Sequence, residues 1–381
     1  IIPRFVAIET RRTSFIKHLD RILSLKTLKR PVVLADPITW ELVGSRLYEE
    51  LDAERLAPQK MLVEGNRYSE VSRVVHQLSH RPRFWSSGSS PLEPRLNAIK
   101  RTSILFAVGG GSVIDVGKLV ARQLHVPCIS VPTSLANDGI ASPFAVIDPE
   151  DSIPDLAQVT VRTNTPLGII IDLSPFRRTD QAEDGFLRQM SLSGVGDIVS
   201  NVTAVMDWEL AARVQGEELN YAALLQSRSA GEVILHRVAA GAPLDDESFL
   251  LTLAAALVSS GEAMTRVGSS RPASGFEHKL YHAFSNLLRF SSTASHGVLV
   301  AIGTLISSAA HGRYFDQIRA AFLKAGLPVD REGLNALSID PDQVVEAIGA
   351  AHRIKPERYT ILEEAGAARL TEIFREVYAV D

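Results

Sequence analysis

Residues 107–118 read "AVGGGSVIDVGK". An apolar run, "SILF" (103–106), leads into Ala107 and Val108, and three glycines follow: Gly109, Gly110 and Gly111. Glycine costs backbone entropy when ordered, so a run of it marks a place where backbone must approach something closely. From Ser112 onward the apolar residues recur at helical spacing, so the glycines join a strand to a helix. First-turn helix amides have no intrahelical partner, and the helix dipole adds partial positive charge there. A glycine-rich approach opens those amides to a phosphate. The pattern is neither G-x-G-x-x-G nor G-x-x-x-x-G-K-[ST], so a plain tight turn is the competing reading.

Outward from the glycines, short apolar runs alternate with amphipathic stretches. "PVVLAD" (31–36), "KMLVEG" (60–65), "SILFAVGGG" (103–111) and "CISVPT" (128–133) read as strands. "PITWELVGSRLYEEL", "YSEVSRVVHQLS" and "SVIDVGKLVARQL" read as the helices between them. Strands alternating with helices of this length imply parallel βαβ units. Residues 144–176 carry further strands and turns, and beyond "SPF" (174–176) helical periodicity takes over. The expected fold is therefore a Rossmann-like α/β domain (1–174) that binds a dinucleotide, followed by an all-α domain (175–381).

The chain has 381 residues, a formal net charge of −4, 45% hydrophobic and 22% charged residues. That length can bury two ordinary cores, and the slight acidity argues against a nucleic-acid partner. The single cysteine, Cys128, excludes an internal disulfide framework and fits a reducing cytoplasm; a small core residue is its expected role. No uninterrupted apolar run is long enough to predict a membrane span. The first residues, "IIPRFVAIETRRTS", lack the order of a signal peptide, so a cytoplasmic location is expected.

Asp36 follows an apolar run at a strand end. A carboxylate there accepts hydrogen bonds from a ribose diol and repels a 2′-phosphate, which favours NAD(H), with NADP as the alternative. The competing role is an N-cap for the helix after Pro37. In the helical half, His278 and His282 lie four residues apart on one helix face, and His296 stands at the start of the next helix. Asp197 is placed near the start of an earlier helix. One carboxylate and two imidazoles, with positions left open, suit a catalytic divalent metal: zinc, with iron or nickel as alternatives. The competing readings are core or surface histidines and an aspartate that caps a helix.

Together, "GGGSVIDVGK", "SVPTSLANDGIASPFAVI", "GVGDIVSNVTAVMDWELA", "RPASGFEH" and "KPERYTILE" resemble the sn-glycerol-1-phosphate dehydrogenases. These belong to the superfamily of iron-containing alcohol dehydrogenases, glycerol dehydrogenases and dehydroquinate synthases. The resemblance runs from "IPRFVAIE" to "RYTILE", nearly the whole chain. It implies a nucleotide-binding α/β domain, a helical metal domain and a substrate cleft. It implies that Gly109, Gly110, Gly111, Ser112, Asp115, Thr133, Ser134 and Ser142 contact the cofactor. Asp138 matches the substrate-binding aspartate, and Asp197, His278 and His296 match the metal ligands. His282 matches a substrate-side histidine. The implied reaction interconverts dihydroxyacetone phosphate and sn-glycerol 1-phosphate with NAD(H), and a homo-oligomer is expected.

Ala136 stands where many relatives have serine, "SGFEH" replaces "SGSEH", and residues 283–295 depart from the family pattern. These changes fall at the substrate end. Arg271, Lys279 and Arg353 are candidates for holding a substrate phosphate. Three other readings accompany the main one: the same chemistry on an unphosphorylated or other hydroxy-ketone, prompted by Phe276; a dehydroquinate synthase-like cyclase, which Asp197 disfavours; and a non-catalytic relative.

Overall fold

Aliphatic residues with little polar interruption build the central strands, the composition of strands covered on both faces. The computed structural model describes residues 3–19, 30–80, 103–150, 158–176 and 184–380. Residues 151–157 of the expected strand-and-turn region lie outside them. The described residues fall into two units. One comprises those up to Ser134 with 139–150 and 158–175; the other comprises Leu135–Asp138 and everything from Phe176 on.

The first unit contains β1 (Phe5–Glu9), β2 (Val32–Ala35), β3 (Gln59–Leu62), β4 (Leu105–Gly109), β5 (Cys128–Pro132), β6 (Phe144–Ile147), β7 (Val159–Arg162) and β8 (Gly168–Asp172). Six of them form one sheet in the order β1-β8-β5-β4-β2-β3, every neighbouring pair parallel. β6 and β7 form a separate antiparallel pair. Val33, Phe106, Ile129 and Ile170 pack from the sheet into a core shared with Leu47 and Leu51 of α1 (Ser45–Ala53). Helices α2 (Tyr68–His80) and α3 (Gly111–Leu124) match the spans read from periodicity. The helix expected from Pro37 is instead broken: a turn at Pro37–Thr39 passes into a π-helix over Trp40–Gly44 before α1 begins. The turn is closed locally by a capping box between Asp36 and Thr39, so it needs no continuous α-helix behind it.

The strand order decides where a ligand can sit. From β2 the chain moves outward to β3, then returns to β4 on the other flank of β2. In open α/β sheets ligands bind at the carboxyl ends of strands where the order reverses in this way.

The second unit is helical. It contains α4 (Asp184–Gln215), α5 (Tyr221–Ala239), α6 (Glu247–Val267), α7 (Phe276–His282) and α8 (His296–His311), with α4 packed against α8 and α5. Asp197 therefore lies well inside α4, not near a helix start, and cannot act as a cap. Two glycines flanking this part of α4 stand where other backbone comes very close. A Cβ at Gly194 would stand 2.0 Å from the carbonyl oxygen of Leu135, and one at Gly196 2.1 Å from that of Gly297. By length and apolar composition α6 is also sufficient to cross a membrane, but 61% of its most apolar window is buried among the other helices. It begins at Glu247 and carries Glu262 and Arg266, as a core helix with one wet face does.

Candidate functional site

At the carboxyl end of β4, Gly110 caps α3 with φ −73° and ψ −176°, and Gly111 is the first helical residue. Ser112 is exposed in the first turn. A Cβ on Gly109 would collide with Cβ of Val113 at 2.6 Å, whereas one on Gly110 would meet only Oγ of Ser134, at 3.7 Å. The loop thus stays close to its own helix at Gly109 and open at Gly110. Thr133 donates its N–H to the Gly109 carbonyl at 3.0 Å, which brings Thr133 and Ser134 beside the glycines. Asp36 ends the neighbouring strand β2, where Ala35 pairs with Val108, and Oγ1 of Thr39 donates to the Val108 carbonyl. Oδ1 of Asp36 accepts from the Thr39 N–H at 2.8 Å. The carboxylate is thus a helix cap and also stands beside the glycine loop.

Two further residues assigned to the cofactor have internal partners. Asp115 is buried, pairs with Nζ of Lys118 at 2.8 Å and accepts from the Val146 N–H at 2.9 Å. Lys118, fully buried, also donates to the carbonyls of Gly139 and Phe144. Ser142 is buried, with its hydroxyl donating to the Phe144 carbonyl. These contacts tie the start of α3 to the segment around β6. Cys128 is buried too, and burial pushes its thiol up to about 12, which removes it as a nucleophile.

In the helical unit Asp197, His278 and His296 converge, with donor atoms all within 4.8 Å of one another. Oδ1 of Asp197 lies 3.1 Å from Nε2 of His296 and 3.7 Å from Nε2 of His278. Two ligands bound at 2.0–2.1 Å to one tetrahedral ion stand about 3.3 Å apart, so the three side chains fit a single zinc-sized ion. Oδ2 of Asp197 accepts the Asp138 N–H. Nδ1 of His278 lies 3.1 Å from Oε1 of Glu277, a fully buried carboxylate that orients the ring. Burial alone would raise the Asp197 carboxyl, but the hydrogen bonds to His278 and His296 outweigh it and hold it well below the usual range. Burial likewise opposes protonation of His278, and Asp197 and Glu277 override it, raising the imidazole to about 9. In the metal-free site the pair is thus an imidazolium and a carboxylate, the charge pattern a divalent cation replaces.

His282, one turn beyond His278, does not join the cluster. Its ring packs 5.0 Å from Tyr281, whose own ring stands 4.3 Å from His296. Its Nδ1 is 2.7 Å from Nδ2 of Asn286. Burial, then the charges of Lys355 and the two ligand histidines, hold it well below its ordinary value, so it is neutral. Asp138 accepts from Oγ of Ser260 at 2.7 Å, and Ser260 accepts from Asn201. Phe276 is fully buried, with its N–H on Asp207, so it is a core residue and not an obstacle at the ligand helix.

Glu277, Ser260 and Tyr281 were not singled out in the sequence. Glu277 had a local signal, a carboxylate next to a ligand histidine; Ser260 and Tyr281 had none. The proposed phosphate holders are otherwise engaged: Arg271 pairs with Glu217 and Lys279 with Glu363, while Arg353 is exposed.

A sequence model of the iron-containing alcohol dehydrogenases matches residues 11–179. Glycerol dehydrogenase from Schizosaccharomyces pombe has a similar solved structure, with a TM-score of 0.74, 18% identity, and coverage of 99% of this chain and 89% of that one; this likeness shows the fold. Sequence relatives are closer. Glycerol-1-phosphate dehydrogenase [NAD(P)+] of Pyrococcus horikoshii is 35% identical over 93% of this chain and 92% of its own. The enzyme of the same name from Thermococcus sibiricus is 39% identical over 91% and 88%. The chain belongs to the glycerol-1-phosphate dehydrogenase family.

Proposed function

We propose that the protein is a metal-dependent NAD(H) oxidoreductase that interconverts dihydroxyacetone phosphate and sn-glycerol 1-phosphate. The convergence of Asp197, His278 and His296 in a member of this family is the observation that carries the reading. The α/β unit is the nucleotide-binding domain and the helical unit the metal and substrate domain. Gly109–Ser112, Thr133 and Ser134 take the pyrophosphate end of the dinucleotide, and Asp36 the adenosine ribose, with preference for NAD over NADP. Asp115 and Ser142 support that loop from beneath through Lys118.

Asp197, His278 and His296 would hold one divalent ion, zinc by its fit to nitrogen and oxygen donors. Bound there, it supplies Lewis-acid polarisation of the substrate oxygen, which is worth several kcal/mol to hydride transfer. The chain's own groups do the rest. Glu277 fixes the tautomer of His278 so that Nε2 is free to ligate. Asp138, held by Ser260, accepts a hydrogen bond from a substrate hydroxyl. His282, kept neutral, offers a hydrogen bond rather than an imidazolium proton. Its lone cysteine, buried and unpaired, suits a protein of the reducing cytoplasm.

Loss of NADH absorbance with a panel of ketones tests the reading. The fastest reduction is expected with dihydroxyacetone phosphate, in metal-loaded protein only. Turnover confined to unphosphorylated ketones would replace it by the alternative hydroxy-ketone reductase.

A further inference from the structure

Asp207, fully buried in α4, accepts hydrogen bonds from three other elements. Its Oδ2 takes the Phe276 N–H at 2.7 Å, the first amide of the ligand helix α7. Its Oδ1 takes the Ile361 N–H at 2.7 Å, the first amide of the short helix Ile361–Ala365, and lies 2.9 Å from Nε2 of His311 at the end of α8. Amides in a first helical turn have no partner in their own helix, and one carboxylate here serves two such starts. Thr203, four residues earlier on the same face of α4, donates to the Glu277 carboxylate that orients His278. Gly275 makes this approach possible: a Cβ there would stand 2.4 Å from Oδ2 of Asp207. On the other side, a Cβ at Gly303 of α8 would stand 2.6 Å from Cα of Glu277, so α7 is closely held there too.

The segment ahead of Ile361 is fastened to the entry of α7 as well. Nζ of Lys355 and a terminal nitrogen of Arg358 each lie 3.2 Å from Oγ of Ser270, and Arg358 donates to the Ser274 carbonyl at 2.7 Å. Burial, then the like charge of Arg358, pushes the Lys355 ammonium down to about 7, so the two cations repel and the segment depends on its other anchors. Those lead to α4: Arg271 donates to the carbonyls of both Asp207 and Tyr359, and Asp207 accepts from Ile361. We infer that Asp207 is a positioning residue of the metal site. None of its partners is a metal ligand; it acts by fixing the start of α7 two residues ahead of His278, and so where that imidazole stands against Asp197. The inference rests on the reading of Asp197, His278 and His296 as metal ligands. Asparagine cannot do the same, because either orientation of its amide turns the NH2 against a backbone N–H, that of Phe276 or that of Ile361.

The test compares the full-length protein with Asp207→Asn. Three quantities are read: zinc affinity by competition with a chromophoric chelator, the absorption spectrum of the cobalt(II)-loaded protein, and kcat against KM in the reduction of dihydroxyacetone phosphate by NADH. Asp207→Asn should weaken zinc binding by on the order of tenfold, alter the cobalt spectrum, and lower kcat while leaving the KM for NADH unchanged. Phe322→Leu, a change at a fully buried residue elsewhere in the helical unit, should lower the melting temperature and leave zinc affinity and the cobalt spectrum as they were. If Asp207→Asn does not give a native circular dichroism spectrum, Gly275→Ala, which presses a methyl group on the same carboxylate, provides the same readings. Native zinc affinity and an unaltered cobalt spectrum in a folded variant would overturn the inference and leave the metal site standing. If the native protein binds zinc and Asp207→Asn weakens it, yet neither reduces any ketone, the reaction falls and the inference stands. A native protein that takes up no zinc would overturn both.

Discussion

The backbone N–H of Asp138 donates to Oδ2 of Asp197 at 2.9 Å, across 59 residues of chain. That bond leaves Oδ1 of Asp197 for the two imidazoles and places the Asp138 carboxylate, fixed by Ser260, next to a candidate metal ligand. One short loop, Leu135–Asp138, thereby belongs to the helical unit although it follows β5 in sequence.

His278 predicts how metal binding varies with pH. Its imidazole is raised to about 9 in the metal-free protein and must lose its proton to ligate. Zinc affinity should tighten by up to about tenfold per pH unit up to 9 and level off above it. Calorimetric titration of chelator-treated protein checks this, and a flat profile would remove His278 from the ligand set. His278→Ala should abolish metal binding, whereas His282→Ala should keep the metal and lower kcat/KM by about tenfold, the loss of one hydrogen bond to the substrate.

The glycine loop separates packing from binding. Gly109→Ala forces a Cβ against Val113 and should cost about 1–3 kcal/mol, seen as a lower melting temperature. Gly110 has an ordinary extended conformation and room for a methyl group. Gly110→Ala should therefore keep or slightly raise the melting temperature. It should also weaken NADH about tenfold or more if the amides there cradle phosphate. Fluorescence titration with NADH decides, and undiminished affinity would make the loop a plain turn.

Asp36→Gly should shift preference toward NADPH. The helix cap is lost as well, but glycine at an N-cap costs only about a few tenths of a kcal/mol, so stability should hardly move. Steady-state kinetics with both cofactors give the answer; a native protein that already uses them equally would sink the proposed discrimination.

Lys355 has a stability signature of its own. Its folded value, about 7, lies below its unfolded one of 10.5, so between them the unfolded chain binds more protons and stability rises with pH. The destabilising charge is present in full below pH 7 and relieved above it. In phosphate-free buffer, Lys355→Met should melt above the native protein at pH 6, by about 2–4 °C per kcal/mol recovered. That advantage should shrink as pH rises toward 10. A constant difference would mean that Lys355 stays charged throughout.

Alternating strands and helices, the glycine turn and the i,i+4 histidines of α7 were legible in the sequence, because each is a local periodicity within one element. The chain's residue types likewise determined that a metal-binding set was available. The tertiary structure alone decided how the elements combine. Asp197 meets His296 across 99 residues because glycines at 194 and 196 let α4 approach its neighbours. Asp36 stands beside Gly109 because the strand order places β2 against β4. The same holds for charge: Arg271, Lys279, Lys355 and Arg358 look equivalent as letters. Packing gives the first two an acid each and leaves the last two sharing a hydroxyl, since pairing depends on which side chains are buried together and no periodicity encodes it.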